Sequence, residues 1–191
     1  MKIFIAGARA ITQFDDNVKN KLFSIYEKGF HVLVGDAAGA DSSVQKFYAD
    51  KEYENVTVFA SNGKARNNIG SWNIENVAVK ENVRGFDFYK QKDIAMANAA
   101  DYGLMIWNGE SKGTLNNIIN LLSQEKPCVV YLSTQKRFFA INSEEKLFAL
   151  LRLCPQSASE AYRKLTKIET PQLAQIALFY LSTMITRNPQ S

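Results

Sequence analysis

The stretch HVLVGDAAGADSSV, residues 31–44, runs from a strand-like segment through two glycines and two aspartates into the start of a helix. Its segment HVLVG contains no polar residue after the histidine, which is typical of a strand buried on both faces of a sheet. The glycines predict a corner at the carboxyl end of that strand, because glycine tolerates backbone conformations that other residues avoid. The stretch therefore predicts a buried parallel strand that opens into a loop and then a helix.

Four more short apolar runs lie elsewhere in the chain, and helical patterns separate them. The runs are KIFIAGA (2–8), NVTVFA (55–60), YGLMIW (102–107) and PCVVYLS (127–133). Apolar residues three and four positions apart predict helices over residues 15–28, 40–51, 88–99 and 114–124. Alternating strands and helices predict right-handed crossovers and a mainly parallel sheet with helices on its faces. The fold class is therefore α/β, with an open layered architecture.

Two regions depart from this alternation. Residues 61–87 are polar and glycine-bearing, although IENVAV (74–79) is compatible with an extra short strand. From residue 135 onward the pattern predicts helices and no strand, with caps at Asn142 or Ser143, at Ser157 with Glu160, and at Thr170 before Pro171. We therefore expect a domain over residues 1–134 and a helical appendage over residues 135–191. The last helix is apolar from Leu173 to Ile185, which calls for burial against the core or a second chain.

Composition excludes several classes of function. The chain holds one histidine, His31, and two cysteines, Cys128 and Cys154, so a Ser-His-Asp device, a disulfide framework and a histidine or cysteine metal site are not supported. No metal and no cofactor are expected. Residues 135–191 hold 8 of the 23 basic residues but only 4 of the 19 acidic ones, so the net charge of +4 belongs to that segment. The N-terminal MKIFIAGARA is too short and glycine-interrupted for a signal peptide, which favours a cytoplasmic protein and no membrane partner.

Three glycine-bearing corners are expected at one edge of the sheet, where ligands of open α/β sheets bind. They are residues 6–9 (AGAR), 35–41 (GDAAGAD) and 109–114 (GESKGT). Bare main-chain N–H groups at such corners, together with a helix N-terminus, favour phosphate. The predicted ligand-binding residues of these corners are Gly7, Ala8, Arg9, Gly35, Asp36, Gly39, Gly109, Lys112, Gly113 and Thr114.

The side chains near these corners leave alternatives open. Asp36 is suited to accept a ribose hydroxyl, whereas Asp41 equally suits a helix cap. Trp107 stands at a strand end where a nucleobase could stack, although aromatic residues more often belong to the core. Trp72, Phe86, Phe88 and Tyr89 share that ambiguity, and a polar cluster could clamp a phosphate or remain a solvated loop: Lys64, Arg66, Asn67 and Asn68.

These motifs resemble the SLOG superfamily of Rossmann-like proteins, which includes the Lonely Guy phosphoribohydrolases, DNA-processing protein A and YspA-like proteins. The resemblance covers about residues 1–133 and rests on GARA, on VGDAAGAD and on KDIAMANAADYGLMIWNGESKGTLNNI. GKARNN (63–68) is also similar to an element of the YspA-like branch. The resemblance implies a Rossmann-like three-layer sandwich, an N-glycosidic reaction on nucleotides, and pairing into homodimers.

The chain departs from the Lonely Guy pattern at the implied catalytic positions. The family's arginine falls on Lys92 and its glutamate on Asn117, beside Asn116. An amide cannot stabilise an oxocarbenium-like charge or activate water as a carboxylate does. Asn117 can still bind a sugar, and Lys92 is also expected to bind the ligand. The nucleoside deoxyribosyltransferases, a related family, have a glutamate in a similar arrangement, and this chain lacks it as well. Any surviving catalysis would need Lys92, Asn117 or an acid from elsewhere, with Glu110, Glu81, Asp87 and Asp93 as candidates.

Three functions follow from this sequence. The first is a binding protein for a nucleotide or nucleotide-derived ligand, with a degenerate glycosidase site and a sensing, sequestering or regulatory role. The second is an enzyme that hydrolyses or transfers the N-glycosidic bond of a nucleoside or nucleotide. The third is single-stranded nucleic-acid binding, for which the basic residues available in the last segment are Lys136, Arg137, Arg152, Arg163, Lys164 and Lys167.

Overall fold

The computed structural model describes residues 1–63 and 65–167, which form one seven-stranded sheet with helices on both faces. The strands are β1 Lys2–Gly7, β2 His31–Gly35, β3 Val56–Ser61, β4 Asn73–Val77, β5 Tyr102–Trp107, β6 Cys128–Leu132 and β7 Arg137–Ile141. The helices are α1 Asp16–Glu27, α2 Ala40–Ala49, α3 Gly85–Ala99, α4 Lys112–Leu122, α5 Glu144–Leu151 and α6 Gln156–Thr166. None of these described helices is both long enough and apolar enough to cross a membrane.

The strand order is β4-β3-β2-β1-β5-β6-β7, and every neighbouring pair is parallel except β6 and β7. The predicted α/β class is confirmed. The chain moves outward on one side from β1 to β4 and then crosses back, so that β5 pairs with the other side of β1, with Gly7 opposite Ile106. The loops after β1 and β5 therefore leave in opposite directions, and this reversal creates a crevice at their carboxyl ends.

The sheet separates two apolar clusters. On one face, α1 and α2 bury side chains such as Val18, Leu22 and Tyr48 against the sheet. On the other face lie α3 to α6, whose buried residues include Met96 and Leu115. Each large apolar side chain buried in this way contributes about 1.5–3 kcal/mol. This two-sided burial explains why the central strands are apolar at consecutive positions rather than at alternate ones.

The five apolar runs and the extra strand within residues 74–79 are confirmed as β1 to β6, with ends that differ by one or two residues. The expectation of no strand after residue 135 is wrong, because β7 pairs antiparallel with β6 through a tight turn in which Lys136 has φ of +49°. The strand was missed because it is a half-exposed edge strand and lacks a continuous apolar run.

The helices of the last segment were predicted in part. Ser143 caps α5 by accepting the N–H of Lys146, as expected. The predicted cap at Ser157 is wrong, because α6 begins one residue earlier, after Pro155. Both helices bury residues in the core beneath the sheet, so residues 135–167 are continuous with it. The predicted helix from Thr170 lies outside the described residues.

Candidate functional site

A cavity of about 610 Å³ lies at the crevice beyond the carboxyl ends of β1 and β5. The loop after β1, the first turns of α3 and the N-terminus of α4 form its walls. Eight of the predicted ligand-binding residues line it: Gly7, Ala8, Arg9, Lys92, Lys112, Gly113, Thr114 and Asn117. The first and third corners therefore meet at one edge of the sheet, and the second corner reaches the same cavity through Ala37 and Asp41.

The N-terminus of α4 presents main-chain donors to this cavity. Ser111 is the N-cap, and its Oγ accepts the Thr114 N–H at 3.4 Å and the Thr114 hydroxyl at 3.0 Å. The N–H groups of Lys112 and Gly113 have no hydrogen-bond partner in the described part of the chain. A side chain at Gly113 would meet no atom within 4 Å, so space remains in front of these donors. The geometry is that of an anion site at a helix N-terminus.

The first corner is shaped by a close contact between strands and helix. A Cβ on Gly7 would lie 2.5 Å from the Ile106 oxygen and 2.7 Å from the Cβ of Ala40, so only glycine fits there. The Ala8 N–H donates to the Ile106 oxygen at 2.9 Å and is therefore already used within the protein. The corner thus contributes the Arg9 side chain and its cavity wall, while Gly7 allows β1, β5 and α2 to pack closely.

Other protein atoms fill the space beside the glycines of the second corner. A Cβ on Gly35 would lie 2.4 Å from Asp41 Oδ2 and 2.7 Å from Lys92 Nζ. Gly39, at φ +82°, packs against the main chain of Arg9. Neither glycine lines the cavity, and protein atoms lie where a ligand would approach them.

Asp36 does not line the cavity and is paired with Arg66 of the same chain. Its carboxylate accepts from Arg66 three times: the Nη2 at 2.6 Å, the Nε at 3.0 Å and the main-chain N–H at 3.1 Å. Burial alone would raise the pKa of Asp36, but these hydrogen bonds and the charge of Lys92 hold it below its ordinary value. The structure thus assigns Asp36 to anchoring the loop that carries Arg66.

The rest of that loop is fixed in the same way. Asn67 Nδ2 donates to the main-chain oxygen of Asp36 at 2.9 Å. The side-chain amide of Asn68 hydrogen-bonds the main chain of Trp72 through both its nitrogen and its oxygen. Gln45 Nε2 bridges the Gly35 and Asn67 oxygens. Asn67 and Asn68 therefore hold a loop, and of the described members of the predicted phosphate clamp only Arg66 lines the cavity.

A buried group of charges forms one wall of the cavity. Lys92, 4% exposed, places its Nζ 2.7 Å from Asp93 Oδ1, and Asp41 lies beside it at Gly35. Burial raises the pKa of Asp41 to about 6 against the opposing charge of Lys92. Burial also disfavours the charged form of Lys92, but the charges of Asp93 and Asp41 prevail and raise its pKa. These carboxyls can accept hydrogen bonds from a hydroxylated ligand.

Three buried amides on α4 have atoms without partners. They are Asn117 Oδ1, Asn116 Nδ2 and Asn120 Nδ2, each without a hydrogen bond among the described residues. Asn117 is 4% exposed and lines the cavity. Because an unpaired buried amide costs about 1–3 kcal/mol, Asn117 is a natural partner for a polar ligand.

The remaining candidate residues from the sequence lie partly in the cavity and partly in the core or on other surfaces. Trp107 is fully buried and donates from Nε1 to the Ser111 oxygen at 3.0 Å, so its ring positions the start of α4 and cannot stack on a ligand. Gly109 packs near Cys154, and Trp72 belongs to the core on the α1 and α2 face. Glu110 and Asp93 line the cavity, whereas Glu81 and Asp87 do not. Within residues 1–63 and 65–167, no three His, Cys, Asp or Glu side chains are grouped to hold a metal ion.

An aromatic rim, which we define as Phe86 and Tyr89 on the first turns of α3, also lines the cavity. Each side chain is 37% exposed. The guanidinium of Arg66 lies 4.6 Å from the Tyr89 ring centroid, that of Arg9 lies 5.4 Å away, and Lys112 Nζ lies 4.6 Å from the centroid of Phe86. The sequence indicated aromatic candidates here, but their cationic partners come from two distant loops and from the first residue of α4.

The fold is similar to a solved structure of DNA processing protein A from Helicobacter pylori, described in connection with a unique single-stranded DNA binding mode. The two chains share 14% sequence identity, with a TM-score of 0.51 and coverage of 68% of this chain. This chain spans 64% of the length of that one. At this identity the likeness concerns the α/β fold alone. No protein-family model matches the chain, and no curated protein sequence matches it.

Proposed function

We propose that the cavity binds a nucleotide or a nucleotide-derived molecule through its phosphate. The observation that carries this proposal is the pair of unpartnered N–H groups of Lys112 and Gly113, which face open space at the N-terminus of an 11-residue helix. A helix terminus of this kind attracts anions through its dipole as well as its donors. The side chains of Lys112 and Arg9 on the same cavity add positive charge.

The remaining wall suits the sugar of such a ligand. Asn117 offers a buried amide without a partner, and Asp41 and Asp93 offer carboxylate acceptors. Ribose hydroxyls can satisfy groups of both kinds. Within the proposed SLOG relationship, Asn117 in place of the glutamate gives a site that holds a sugar phosphate with a weakened or lost glycosidase reaction. A sensing, sequestering or regulatory role in the cytoplasm, as a homodimer, completes the proposal.

Ligand-induced stabilisation of the Gly113→Asp variant tests this assignment. The added carboxylate would occupy the proposed phosphate position, yet an acid in the first turn of a helix favours folding. The matched control is Ser157→Asp, which adds a carboxylate at the second residue of α6, as Gly113 is the second residue of α4, at an exposed position outside the cavity.

Thermal unfolding is followed with AMP, CMP, ADP-ribose, NAD and deoxynucleosides. A ligand at 100 times its dissociation constant adds about 2.7 kcal/mol of stability. We expect stabilisation by at least one phosphorylated compound in the unchanged protein and in Ser157→Asp, and none in Gly113→Asp. Equal stabilisation of all three proteins would place the binding site elsewhere.

The second candidate is an enzyme acting on an N-glycosidic bond, and the positions of Asp41, Asp93 and Glu110 on the cavity favour it. Asp41, with a pKa of about 6, has the proton affinity of a general acid near neutral pH. Chromatography of the same incubations decides between the candidates. Released base would establish catalysis, and stabilisation without release would establish binding alone.

The third candidate is single-stranded nucleic-acid binding, favoured by the described activity of the similar structure. Contacts with several phosphates would make affinity fall steeply as salt rises. Titration of a labelled oligonucleotide at increasing salt tests this candidate. Absence of oligonucleotide binding at low salt, under conditions where AMP binds, would exclude it. Binding that varies little with salt would show that phosphate contacts do not carry the affinity.

A further inference from the structure

We infer that the aromatic rim, Phe86 and Tyr89, is the platform on which the base of the bound nucleotide stacks. The inference rests on the proposed function and extends it from the phosphate to the planar part of the ligand. Both rings line the cavity and remain 37% exposed, although side chains of this size are usually covered.

The spacing of the rim from the phosphate site is set by one residue. The main-chain N–H of Lys112 is one of the free donors of α4. The side-chain Nζ of the same lysine lies 4.6 Å from the ring centroid of Phe86. A phosphate at α4 and a flat ring on Phe86 are therefore separated by about the reach of one lysine side chain. In a nucleotide, the ribose links phosphate and base over a comparable span.

A base can displace the lysine ammonium that lies over the Phe86 ring. Lysine has a flexible side chain, and its contact with an exposed ring is weaker than base stacking. When a base covers Phe86, the ammonium of Lys112 can turn toward the phosphate bound at its own main chain. Tyr89 extends the platform, and the guanidinium groups of Arg9 and Arg66, which lie over its ring, provide further planar surfaces for a base.

The buried aromatic candidates do not compete for this role. Trp107 is fully enclosed and Trp72 is 9% exposed within the core, so neither offers a ring face to the cavity. The platform has no base-specific donor or acceptor on Phe86, and a ring face accepts any base. We therefore expect the ligand class to be nucleotides with broad tolerance of the base, distinguished from simple sugar phosphates.

Calorimetric titration with two probes, AMP and ribose 5-phosphate, tests the platform. AMP should bind the unchanged protein about tenfold more tightly, because that factor corresponds to about 1.4 kcal/mol, which is within the range that one stacked base contributes. Phe86→Leu should reduce this ratio toward one without changing the affinity for ribose 5-phosphate, and Tyr89→Leu should reduce it partly. The matched control is Phe23→Leu, at an aromatic residue 40% exposed on α1 and outside the cavity, which should keep the full ratio.

The outcomes separate this inference from the proposed function. Equal binding of AMP and ribose 5-phosphate to the unchanged protein would refute the platform and leave the phosphate site standing. Equal weakening of both probes by Phe86→Leu would also refute it, because the residue would then act on the phosphate site or on folding. Absence of binding by both probes would refute the proposed function and the platform together.

Discussion

Replacing Asp41 by asparagine tests whether the carboxyl group buried beside the cavity destabilises the protein when it is ionised. Asp41 is 6% exposed, and its pKa is about 6 against a usual value of 3.8. Such a difference corresponds to about 3 kcal/mol between the protonated and the ionised forms. Asparagine keeps the size of the side chain and an acceptor for the Ala37 N–H, which Asp41 receives at 3.4 Å, but it does not ionise.

The direction of the effect follows from proton binding. Because the folded protein holds the Asp41 proton more tightly than the unfolded chain does, raising the pH favours unfolding through this group. Its stabilising contribution is complete below pH 3.8 and is lost as the pH rises through about 6. Between about pH 4 and 7, the free energy of unfolding of the unchanged protein should therefore fall by about 2 kcal/mol relative to that of Asp41→Asn. The nearby charges that face Asp41 are Lys92, Asp93, Asp36 and Arg66.

Urea unfolding followed by tryptophan fluorescence, repeated across this pH range for both proteins, measures the difference directly. The control is Asp50→Asn, which removes an exposed carboxyl whose only ion pair among the described residues is a surface contact with Lys46. We expect the difference between Asp50→Asn and the unchanged protein to stay level. A level difference for Asp41→Asn, or one that changes in the opposite direction, would refute the description of Asp41 as a buried acid that prefers its proton.

Three further substitutions test individual contacts by urea unfolding. Trp107→Ala should lower stability by about 3–5 kcal/mol, because the ring is fully buried, and a loss below about 1 kcal/mol would contradict its place in the core. Gly7→Ala should cost at least about 1–3 kcal/mol, since the added methyl would lie 2.5 Å from a main-chain oxygen of β5, and unchanged stability would show that the strands can separate there. Asp36→Asn should destabilise at neutral pH by breaking the pairing with Arg66, and this loss should shrink as the pH falls through the lowered pKa of Asp36. A loss that does not vary with pH would argue against that ion pair.

Most of the fold could be predicted because burial leaves a direct mark on the sequence. Strands covered by helices on both faces must be apolar at consecutive positions, and β1, β2 and β5 show this. The edge strand β7 has exposed and half-exposed positions, so its sequence carries no comparable mark. The first residue of each helix is harder to predict, because several residues near each start can act as an N-cap.

The candidate site could be predicted only in part, because side chains from distant segments decide which corner remains open. The corners at β1 and α4 meet at the cavity, as parallel topology requires. The corner after β2 has similar glycines, but Lys92 from α3 and Asp41 from α2 occupy the space beside Gly35. Asp36 likewise finds Arg66, 30 residues away in sequence. Contacts of this kind leave no signal in a local motif.

The distribution of charge in the cavity bears on the size of its ligand. Five basic side chains line it among the described residues, of which Arg66 is already paired with Asp36, and three acidic side chains oppose them. The uncompensated positive charge is therefore small. Among the described residues no ion pair is formed by Arg9, Lys90 or Lys112, whereas Asp41 and Asp93 line the wall with Lys92. A single phosphate with a neutral, hydroxylated remainder matches this gradient. A polyanionic strand running through the cavity would bring phosphates against those carboxylates, which favours a mononucleotide over nucleic acid as the proposed ligand of this cavity.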